Sequence, residues 1–280
     1  MIGKVVVATG ATSGIGQVAS DTLAGMGARI VLIARDRMRA EAALARLRRH
    51  NPGADHSVYY ADLSRVKEMK CVAAEIAAAE PRIDVLINNA GAMFDQRRVT
   101  SDGLEQTFAV NHMAYFVVTH ILRERLIATP GARIINTSSE AHRKAQVDYS
   151  DLQMESGFGM FKAYCRSKLY NLLFTRELSR RLRSAGVTVN AFHPGFVGTR
   201  LGDNAGGAGG TIFRFLKWFA LTPEEGAKTL IYLSSSDEVG AVSGEYFQKC
   251  APSTPTPHAR DETAAAWLWA ESERLAGING

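Results

Sequence analysis

The chain has 280 residues, 46% of them hydrophobic and 22% charged, and its 33 Lys and Arg against 28 Asp and Glu give a net charge of +5. This composition is typical of a soluble globular protein and excludes a mostly disordered chain, a collagen and a disulfide scaffold. The small, dispersed positive excess does not by itself indicate nucleic-acid binding. Cys71, Cys165 and Cys250 are widely spaced and form no CxxC, which predicts neither disulfides nor zinc.

The start of the chain and its hydropathy predict a cytoplasmic location. Met1 stands three residues before an apolar run, so we expect no signal or transit peptide ahead of it. We also expect no integral membrane segment, because no stretch reaches the roughly 20 apolar residues that span a bilayer.

The chain alternates predicted strands and helices from its beginning. Apolar, β-rich runs predict strands at 4–9 (KVVVAT), 28–33, 57–61, 83–87, 133–136, 187–191 and 245–247. Alanine-rich or amphipathic segments predict helices up to about Met26 and at 36–50, 64–79, 104–127, 162–184 and 261–275. This alternation predicts an α/β fold with a mostly parallel, seven-stranded sheet flanked by helices. Since no repeat and no break in composition divides it, we expect residues 1–280 to form one domain.

Two segments interrupt the alternation. Residues 140–160 form an irregular polar stretch, and residues 202–222 contain GGAGG followed by IFRFLKWFA. Long irregular segments in compact α/β domains are usually functional loops. The 202–222 segment is open to two interpretations: a hinged lid that closes over an apolar substrate, or an amphipathic helix packed permanently on the body.

A glycine-rich turn joins the first strand to the first helix. In the run TGATSGIG, Gly10, Gly14 and Gly16 follow a GxxxGxG spacing. A helix that begins after a parallel strand offers free N–H groups and the positive end of its dipole, which suit a pyrophosphate. Because glycine lets a ligand approach the backbone closely, the turn predicts a dinucleotide site.

The end of the second strand indicates the choice of cofactor. NAD sites usually have an acidic residue there, whereas this strand ends at Ala34 and continues with Arg35, nineteen residues after Gly16. An arginine at this place can hold a 2′-phosphate through charge-assisted hydrogen bonds, which favours NADP(H) over NAD(H). The alternative is that Asp36 faces the ribose instead.

A tyrosine and a lysine stand four residues apart in YCRSK. Tyr164 and Lys168 therefore lie on one face of a predicted helix. A cation near a tyrosine favours the phenolate and lowers its pKa toward the working range. Joined to the glycine turn, to NNAG at 88–91 and to the serine pair Ser138 and Ser139, the spacing indicates a proton-transfer site.

Together these motifs resemble the short-chain dehydrogenase/reductase family over essentially the whole chain. The resemblance is carried by TGATSGIG (9–16), Asp62 with Leu63, NNAG (88–91), Asn111 in VNHMAYF, the serine pair, YCRSK (164–168) and HPGFVGT (193–199). The runs DGLEQTFAVNH, NTSSEAH and FKAYCRSKLYNLLFTREL are similar to the retinol-dehydrogenase-like branch, as is the 25-residue step from Ser139 to Tyr164.

The resemblance implies a doubly wound Rossmann fold and a role for each catalytic residue. Tyr164 would be the general acid/base, and Lys168 would bind the nicotinamide ribose and lower the pKa of Tyr164. Ser139 would donate a hydrogen bond to the substrate oxygen, with Ser138 as the neighbouring alternative. Asn111 would hold the water that relays protons to Lys168.

The resemblance also implies the residues that bind the cofactor. They are Gly10, Thr12, Ser13, Gly14, Ile15, Gly16, Arg35, Asp62, Leu63, Asn88, Ala90, Gly91, Tyr164, Lys168, Pro194, Gly195, Val197 and Thr199. Among them, Asp62 and Leu63 would contact the adenine, and the residues after the sixth strand would cap the nicotinamide.

We therefore expect an NADP(H)-dependent alcohol dehydrogenase or carbonyl reductase that acts on an apolar small molecule by direct hydride transfer. The alternative is a dinucleotide-sensing regulator on the same fold, which would be expected to lack Tyr164 or Lys168. An epimerase or dehydratase of the extended branch is disfavoured by the tight glycine spacing and the length of 280 residues.

The expected partner is a small-molecule substrate, with no nucleic acid. No metal is predicted, because His112, His142 and His193 show no ligand spacing such as HExxH. The oligomeric state is left open, a homo-oligomer included.

Overall fold

The fold is built on one mostly parallel sheet. A computed structural model describes residues 1–195 and 221–278. Within them, the strands are β1 (Val5–Thr9), β2 (Arg29–Ala34), β3 (Ser57–Tyr60), β4 (Val85–Asn88), β5 (Arg133–Thr137), β6 (Thr188–His193), β7 (Tyr246–Gln248) and β8 (Ala251–Pro252). Their order across the sheet is β3-β2-β1-β4-β5-β6-β7-β8.

Helices cover both faces of this sheet. The α-helices of the described residues are α1 (Gly14–Gly25), α2 (Arg37–His50), α3 (Val66–Ala79), α4 (Gln106–Phe108), α5 (Ala114–Ile127), α6 (Met160–Leu182), α7 (Pro223–Ser235) and α8 (Glu262–Ala276). A π-helical turn, Ala109–Met113, joins α4 to α5, and a 3₁₀ turn, Glu140–Lys144, follows β5.

The apolar runs become strands because both of their faces are buried. One hydrophobic cluster fills the space between the sheet and α3, α5, α6 and α8, and a second lies under α1, α2 and α7. Neighbouring residues of a strand point to opposite clusters, as Val6 and Val7 of β1 do. Continuous rather than alternating hydrophobicity is what this arrangement requires.

The chain changes direction across the sheet at β1 and β4. β1 pairs with β2 on one side and with β4 on the other, and later strands extend the sheet outward from each. Ligands of doubly wound folds bind in the crevice that such a reversal opens at the carboxyl ends of the strands. The crevice here lies between the loops that follow Thr9 and Asn88.

The predicted α/β fold with its seven parallel strands is confirmed, and the structure adds two elements. β8 is a two-residue antiparallel edge strand on β7, and α7 is a helix that the sequence analysis did not predict. Among the described residues, no helix combines the length and apolar character needed to cross a bilayer. Residues 202–220, most of the segment interpreted as a lid or packed helix, lie outside the described residues.

Candidate active site

The glycine turn after β1 forms a tight cradle at the centre of the carboxyl edge. Gly10 has a φ of +64°, and a Cβ there would lie 2.7 Å from the Ala90 Cα. A Cβ on Gly16 would overlap the Gly10 carbonyl oxygen. Ser13 precedes α1, and in the described chain its hydroxyl does not cap the helix. The first N–H groups of α1 therefore remain available to an anion, as the sequence predicts.

Asn89 ties the cradle to the neighbouring strands. Its side-chain amide donates to the Gly10 carbonyl at 3.0 Å, and its Oδ1 accepts from Thr137 Oγ1 at 3.1 Å. Its backbone N–H donates to Thr9 Oγ1 at 2.9 Å. The loops after β1, β4 and β5 are thus fixed to one another by a residue to which the sequence analysis gave no role.

Asn88 of the NNAG motif is a predicted cofactor contact, but its side chain points into the protein interior. Its Nδ2 is buried and donates to Thr119 Oγ1 and to Asn136 Oδ1, both at 2.9 Å. The Asn88 side chain is therefore part of the polar interior between β4, β5 and α5. Asn88 is not among the residues that line the cavity described below.

A cavity of about 520 Å³ opens along these loops. Of the predicted cofactor contacts, it is lined by Gly10, Thr12, Arg35, Asp62, Leu63, Ala90 and Gly91. Its lining extends from the end of β2 to Val110 of the π-helical turn. The bare backbone at Gly10 and the open N-terminus of α1 fit a dinucleotide whose phosphates approach the main chain.

Two guanidinium groups stand at the β2 end of the cavity. Arg35 is exposed, and Arg39 lines the same space. The Asp36 carboxylate caps α2 by accepting the Arg39 N–H at 3.0 Å, and it lies 3.7 Å from Arg39 Nε. Asp36 is therefore engaged by its own helix, which weakens the interpretation that it reads the ribose. Arg39 is not among the residues predicted from the sequence, although its position three residues after a capping Asp could have indicated it.

Tyr164 and Lys168 lie on the face of α6 that borders the carboxyl edge. The Lys168 ammonium is 5.4 Å from the centroid of the Tyr164 ring and donates to the Thr137 carbonyl at 3.2 Å. A Cβ on Gly91 would come within 3.7 Å of the Lys168 Nζ. The lysine therefore joins the tyrosine to the loop that lines the dinucleotide cavity.

Burial shifts both pKa values away from the ordinary range. It raises the pKa of Tyr164 to about 12, an effect that the Ser139 hydroxyl opposes. It lowers the pKa of Lys168 to about 7. The expected lowering of the Tyr164 pKa is not found. The physical reason is that burial destabilises the lysine charge that would have to produce it.

The structure separates the two serines that follow β5. Ser138 is buried, and its hydroxyl donates to the Lys168 carbonyl at 2.8 Å, so it belongs to the packing of α6. Ser139 begins the 3₁₀ turn, and its Oγ accepts the Ala141 N–H at 3.2 Å. Its O–H is left to donate toward the side of Tyr164.

Asn111 sits inside the π-helical turn with its side chain fully engaged. Its Oδ1 accepts the Ala92 N–H at 2.8 Å, and its Nδ2 donates to the Ala92 carbonyl at 3.0 Å and to Ser167 Oγ at 3.0 Å. The side chain therefore holds the loop after β4 against α6. Both N–H groups of the amide are used, so a water held by this side chain would have to donate to Oδ1.

Other predicted cofactor contacts lie at the end of β6. Pro194 and Gly195 end the described stretch, and Gly195 has a φ of +84°. This positive φ favours glycine at position 195, and a Cβ there would also require the Leu221 side chain to move. Val197 and Thr199 lie outside the described residues.

The chain is similar over most of its length to one protein-family model, to several known proteins and to a solved structure. The short chain dehydrogenase family model matches residues 4–207. Human retinol dehydrogenase 13 is 41% identical over 99% of this chain and 85% of its own length, and mouse retinol dehydrogenase 14 is 40% identical over 99% and 87%. A solved structure of an uncharacterized protein from Mycobacterium Paratuberculosis is 31% identical, with a TM-score of 0.78 over 99% of this chain and 95% of its own.

Proposed function

The chain belongs to the short-chain dehydrogenase/reductase family, in its retinol-dehydrogenase-like branch, and from that premise we propose an NADP(H)-dependent enzyme that interconverts an alcohol and a carbonyl on an apolar small molecule. One observation carries the proposal. Tyr164 and Lys168 of α6, Ser139 and Gly91, which lines the cavity, lie close together at the carboxyl edge of the sheet.

A nicotinamide dinucleotide would supply or accept the hydride at this site. Ser139, whose Oγ is oriented by the Ala141 N–H, donates a hydrogen bond to the substrate oxygen. Tyr164 gives its phenolic proton to that oxygen when a carbonyl is reduced, and takes it back when an alcohol is oxidised. A pKa of about 12 keeps this phenol protonated at neutral pH, which is the state that reduction requires.

Lys168 has two duties in this proposal. Its ammonium, next to Gly91 and held by the Thr137 carbonyl, would bind the ribose hydroxyls of the cofactor. Once it is charged there, it stabilises the Tyr164 phenolate that forms during reduction. Asn111 supports both duties as a positioning residue, because its amide fixes the backbone of Ala92 beside the cavity.

The preference for NADP(H) rests on the β2 end of the cavity. Arg35 and Arg39 place two guanidinium groups there, and the Asp36 carboxylate is occupied by the N-terminus of α2. A 2′-phosphate would find charge-assisted donors at this end, whereas a ribose 2′-OH would find no unengaged acid on β2 or the start of α2.

An apolar substrate is supported by the surroundings of Tyr164. Phe161 lies three residues before Tyr164 on α6 and is 47% exposed, so the helix presents an aromatic ring to solvent about one turn from the reacting phenol. Relatives that are about 40% identical carry names in which the substrate is retinol, an apolar alcohol. Uptake of an apolar molecule would cover this ring and exclude water.

The test is a panel of aliphatic and aromatic aldehydes, ketones and alcohols, each assayed with NADPH or NADP⁺ and with NADH or NAD⁺. We expect turnover of apolar members and a higher kcat/KM with the phosphorylated cofactor. Tight NADPH binding without turnover of any member would favour the dinucleotide-sensing regulator. Turnover confined to charged or highly polar members would overturn the substrate class.

A further inference from the structure

His142 is a fully buried histidine that the proposed mechanism does not use. It lies in the 3₁₀ turn Glu140–Lys144, which begins directly after Ser139. Its Nδ1 is 2.6 Å from the carbonyl oxygen of Ser139. The ring therefore contacts the backbone of the residue whose hydroxyl is proposed to hold the substrate oxygen.

The partners of the two ring nitrogens define the tautomer of His142. A carbonyl oxygen can only accept a hydrogen bond, so Nδ1 must be protonated and must donate to the Ser139 carbonyl. Nε2 accepts the backbone N–H of Thr256 at 3.4 Å and must therefore be unprotonated. Burial also lowers the pKa of His142, which keeps the ring neutral. A neutral ring with a single tautomer makes a fixed bridge between Ser139 and the segment after β8.

The same turn has further anchors on the C-terminal part of the chain. The Tyr246 ring packs edge-on against the His142 ring at 5.3 Å, and its hydroxyl donates to Glu140 Oε1 at 2.9 Å. Arg143 donates to the Thr254 carbonyl at 2.9 Å. The turn is thus fixed from β7 and from residues 254–256. The Ser139 carbonyl accepts the backbone N–H of His142 at 3.1 Å as well as Nδ1–H, and the His142 ring is the contact that links this carbonyl to Thr256.

We propose that His142 is a positioning residue for Ser139, holding its carbonyl through Nδ1–H so that the Ser139 hydroxyl faces the substrate oxygen. The inference rests on the function proposed above for Ser139. Its physical basis is that the Ser139 Oγ is oriented by the Ala141 N–H within this turn. A rotation of the Ser139 peptide would move both the carbonyl and the hydroxyl.

Two substitutions separate this role from ordinary core packing. His142→Asn places an amide N–H where Nδ1 stands, so it preserves the donor to Ser139 and loses the contact to Thr256. His142→Gln extends its amide to the Nε2 position, so it preserves the acceptor for Thr256 and loses the donor to Ser139. Asn is the smaller replacement and leaves the larger void, so a purely structural role predicts a loss for His142→Asn at least as large as that for His142→Gln.

The experiment measures kcat, KM and the dissociation constant of NADPH for both variants, in the wild-type background and with Ser139→Ala. We expect His142→Gln to lower kcat on the order of ten- to a hundredfold, as small misplacements of reacting groups do, with NADPH binding unchanged. His142→Asn should recover most of that loss. In the Ser139→Ala background, His142→Gln should add little, because the hydroxyl that it misplaces is gone.

Equal losses in the two variants, or an undiminished effect of His142→Gln when Ser139 is already Ala, would overturn the inference alone. Full activity of Ser139→Ala would instead refute the role of Ser139 in the proposed function, and the inference with it. A spectroscopic measurement needs no variant to fold: ¹⁵N NMR of the wild-type ring should show a neutral His142 protonated at Nδ1. Protonation at Nε2 would contradict the proposal.

Discussion

Lys168 is one of the predicted cofactor contacts, and the burial of its charge lowers the stability of the folded protein. It is 2% exposed, and its hydrogen-bond partner among the described residues is a carbonyl, not a carboxylate. Burial lowers the pKa of its amine to about 7, well below the ordinary value of about 10.4. Such a group is retained for what it does when a ligand is bound, since it does not stabilise the empty protein.

Lys168→Met should therefore stabilise the cofactor-free protein while abolishing turnover. Between pH 7 and about 10 the unfolded chain keeps a proton that the folded chain releases, so the wild-type free energy of unfolding rises with pH. Below pH 7 both states are protonated, and the full cost of the buried charge is present. Urea unfolding at pH 6 should show the variant more stable, on the order of 2 kcal/mol or more, with the difference shrinking toward pH 10.

The matched control for this experiment is Lys162→Met, an exposed position on the same helix. It should change the free energy of unfolding little at any pH. A Lys168→Met protein with wild-type stability across the whole pH range would show that burial does not penalise this amine.

Arg35 is expected to discriminate between the two nicotinamide cofactors. Arg35→Ala should weaken NADPH binding by about 2 kcal/mol if a charge-assisted contact to the 2′-phosphate is lost. NADH binding should change far less, and Arg39→Ala should act in the same direction. Isothermal titration with each cofactor measures the difference. The control is Arg37→Ala, because this guanidinium lies on the Tyr60 ring, 4.4 Å from its centroid.

If Arg35→Ala weakened the binding of NADPH and NADH equally, Arg35 would not be the residue that binds the 2′-phosphate. A wild-type preference for NADH would return Asp36 to consideration as the residue that contacts the ribose.

The hairpin of β7 and β8 turns through two residues with unfavourable backbone angles. Lys249 and Cys250 have φ of +51° and +60°, and Gln248 pairs with Ala251 on either side of them. Two-residue turns of this kind favour Asn-Gly, because a side chain on an L-residue crowds the left-handed conformation. The Cys250 N–H donates to Thr229 Oγ1 on α7 at 3.1 Å, a contact that fixes the turn.

Cys250→Gly should stabilise the protein by about 1 kcal/mol, since it removes that crowding and keeps the N–H donor. Thermal unfolding followed by circular dichroism measures the change. Cys250→Ala keeps the strained Cβ and should show no such gain. If the alanine and glycine variants have the same stability, the positive φ is not a source of strain.

Strands and long helices could be predicted because their information is local. Seven apolar runs gave seven strands, and the i, i+4 spacing of Tyr164 and Lys168 placed both on one face of α6. The helix α7 was missed although its signal is also local: Thr222 accepts the Glu225 N–H at 3.2 Å and Pro223 occupies the first turn. Thr-Pro-Glu-Glu is a helix start that should have been recognised.

Other features of the site depend on contacts between distant parts of the chain and have no local signal. Asn89 acquires its role by meeting Gly10 and Thr137, which lie 79 and 48 residues away. The π-helical turn that contains Asn111 follows from the same kind of constraint, and such turns often mark functional positions. Ser138 packs against α6 and Ser139 does not, and this difference likewise depends on where α6 crosses the end of β5.

Across the whole molecule, the core contains histidines that must stay neutral for the fold to persist. His112 is buried, with Nε2 2.9 Å from Ser272 Oγ on α8. Burial lowers its pKa to about 3 and that of His193 to about 4. Below pH 6.5 these imidazoles bind protons in the unfolded chain but stay neutral in the folded chain. The free energy of unfolding therefore falls as the pH falls toward those pKa values.

His112→Gln should make the protein less sensitive to acid. Gln can keep the contact to Ser272 and does not titrate. Between pH 7 and pH 4, the free energy of unfolding of the variant should therefore decrease by on the order of 3 kcal/mol less than that of the wild type. Urea titrations at a series of pH values give both curves. His50→Gln, at the exposed end of α2, is the control and should follow the wild type. Parallel curves for His112→Gln and the wild type would show that this ring is protonated in the folded state.

The proposed role of Tyr164 as the residue that exchanges the proton with the substrate oxygen is tested by Tyr164→Phe. The phenol would contact the reacting oxygen and contribute little to dinucleotide binding. Single-turnover kinetics with NADPH and an accepted carbonyl substrate should show turnover lowered on the order of 10²- to 10⁴-fold, with the dissociation constant of NADPH nearly unchanged. Undiminished turnover in Tyr164→Phe, on any accepted substrate, would show that Tyr164 is not the general acid/base.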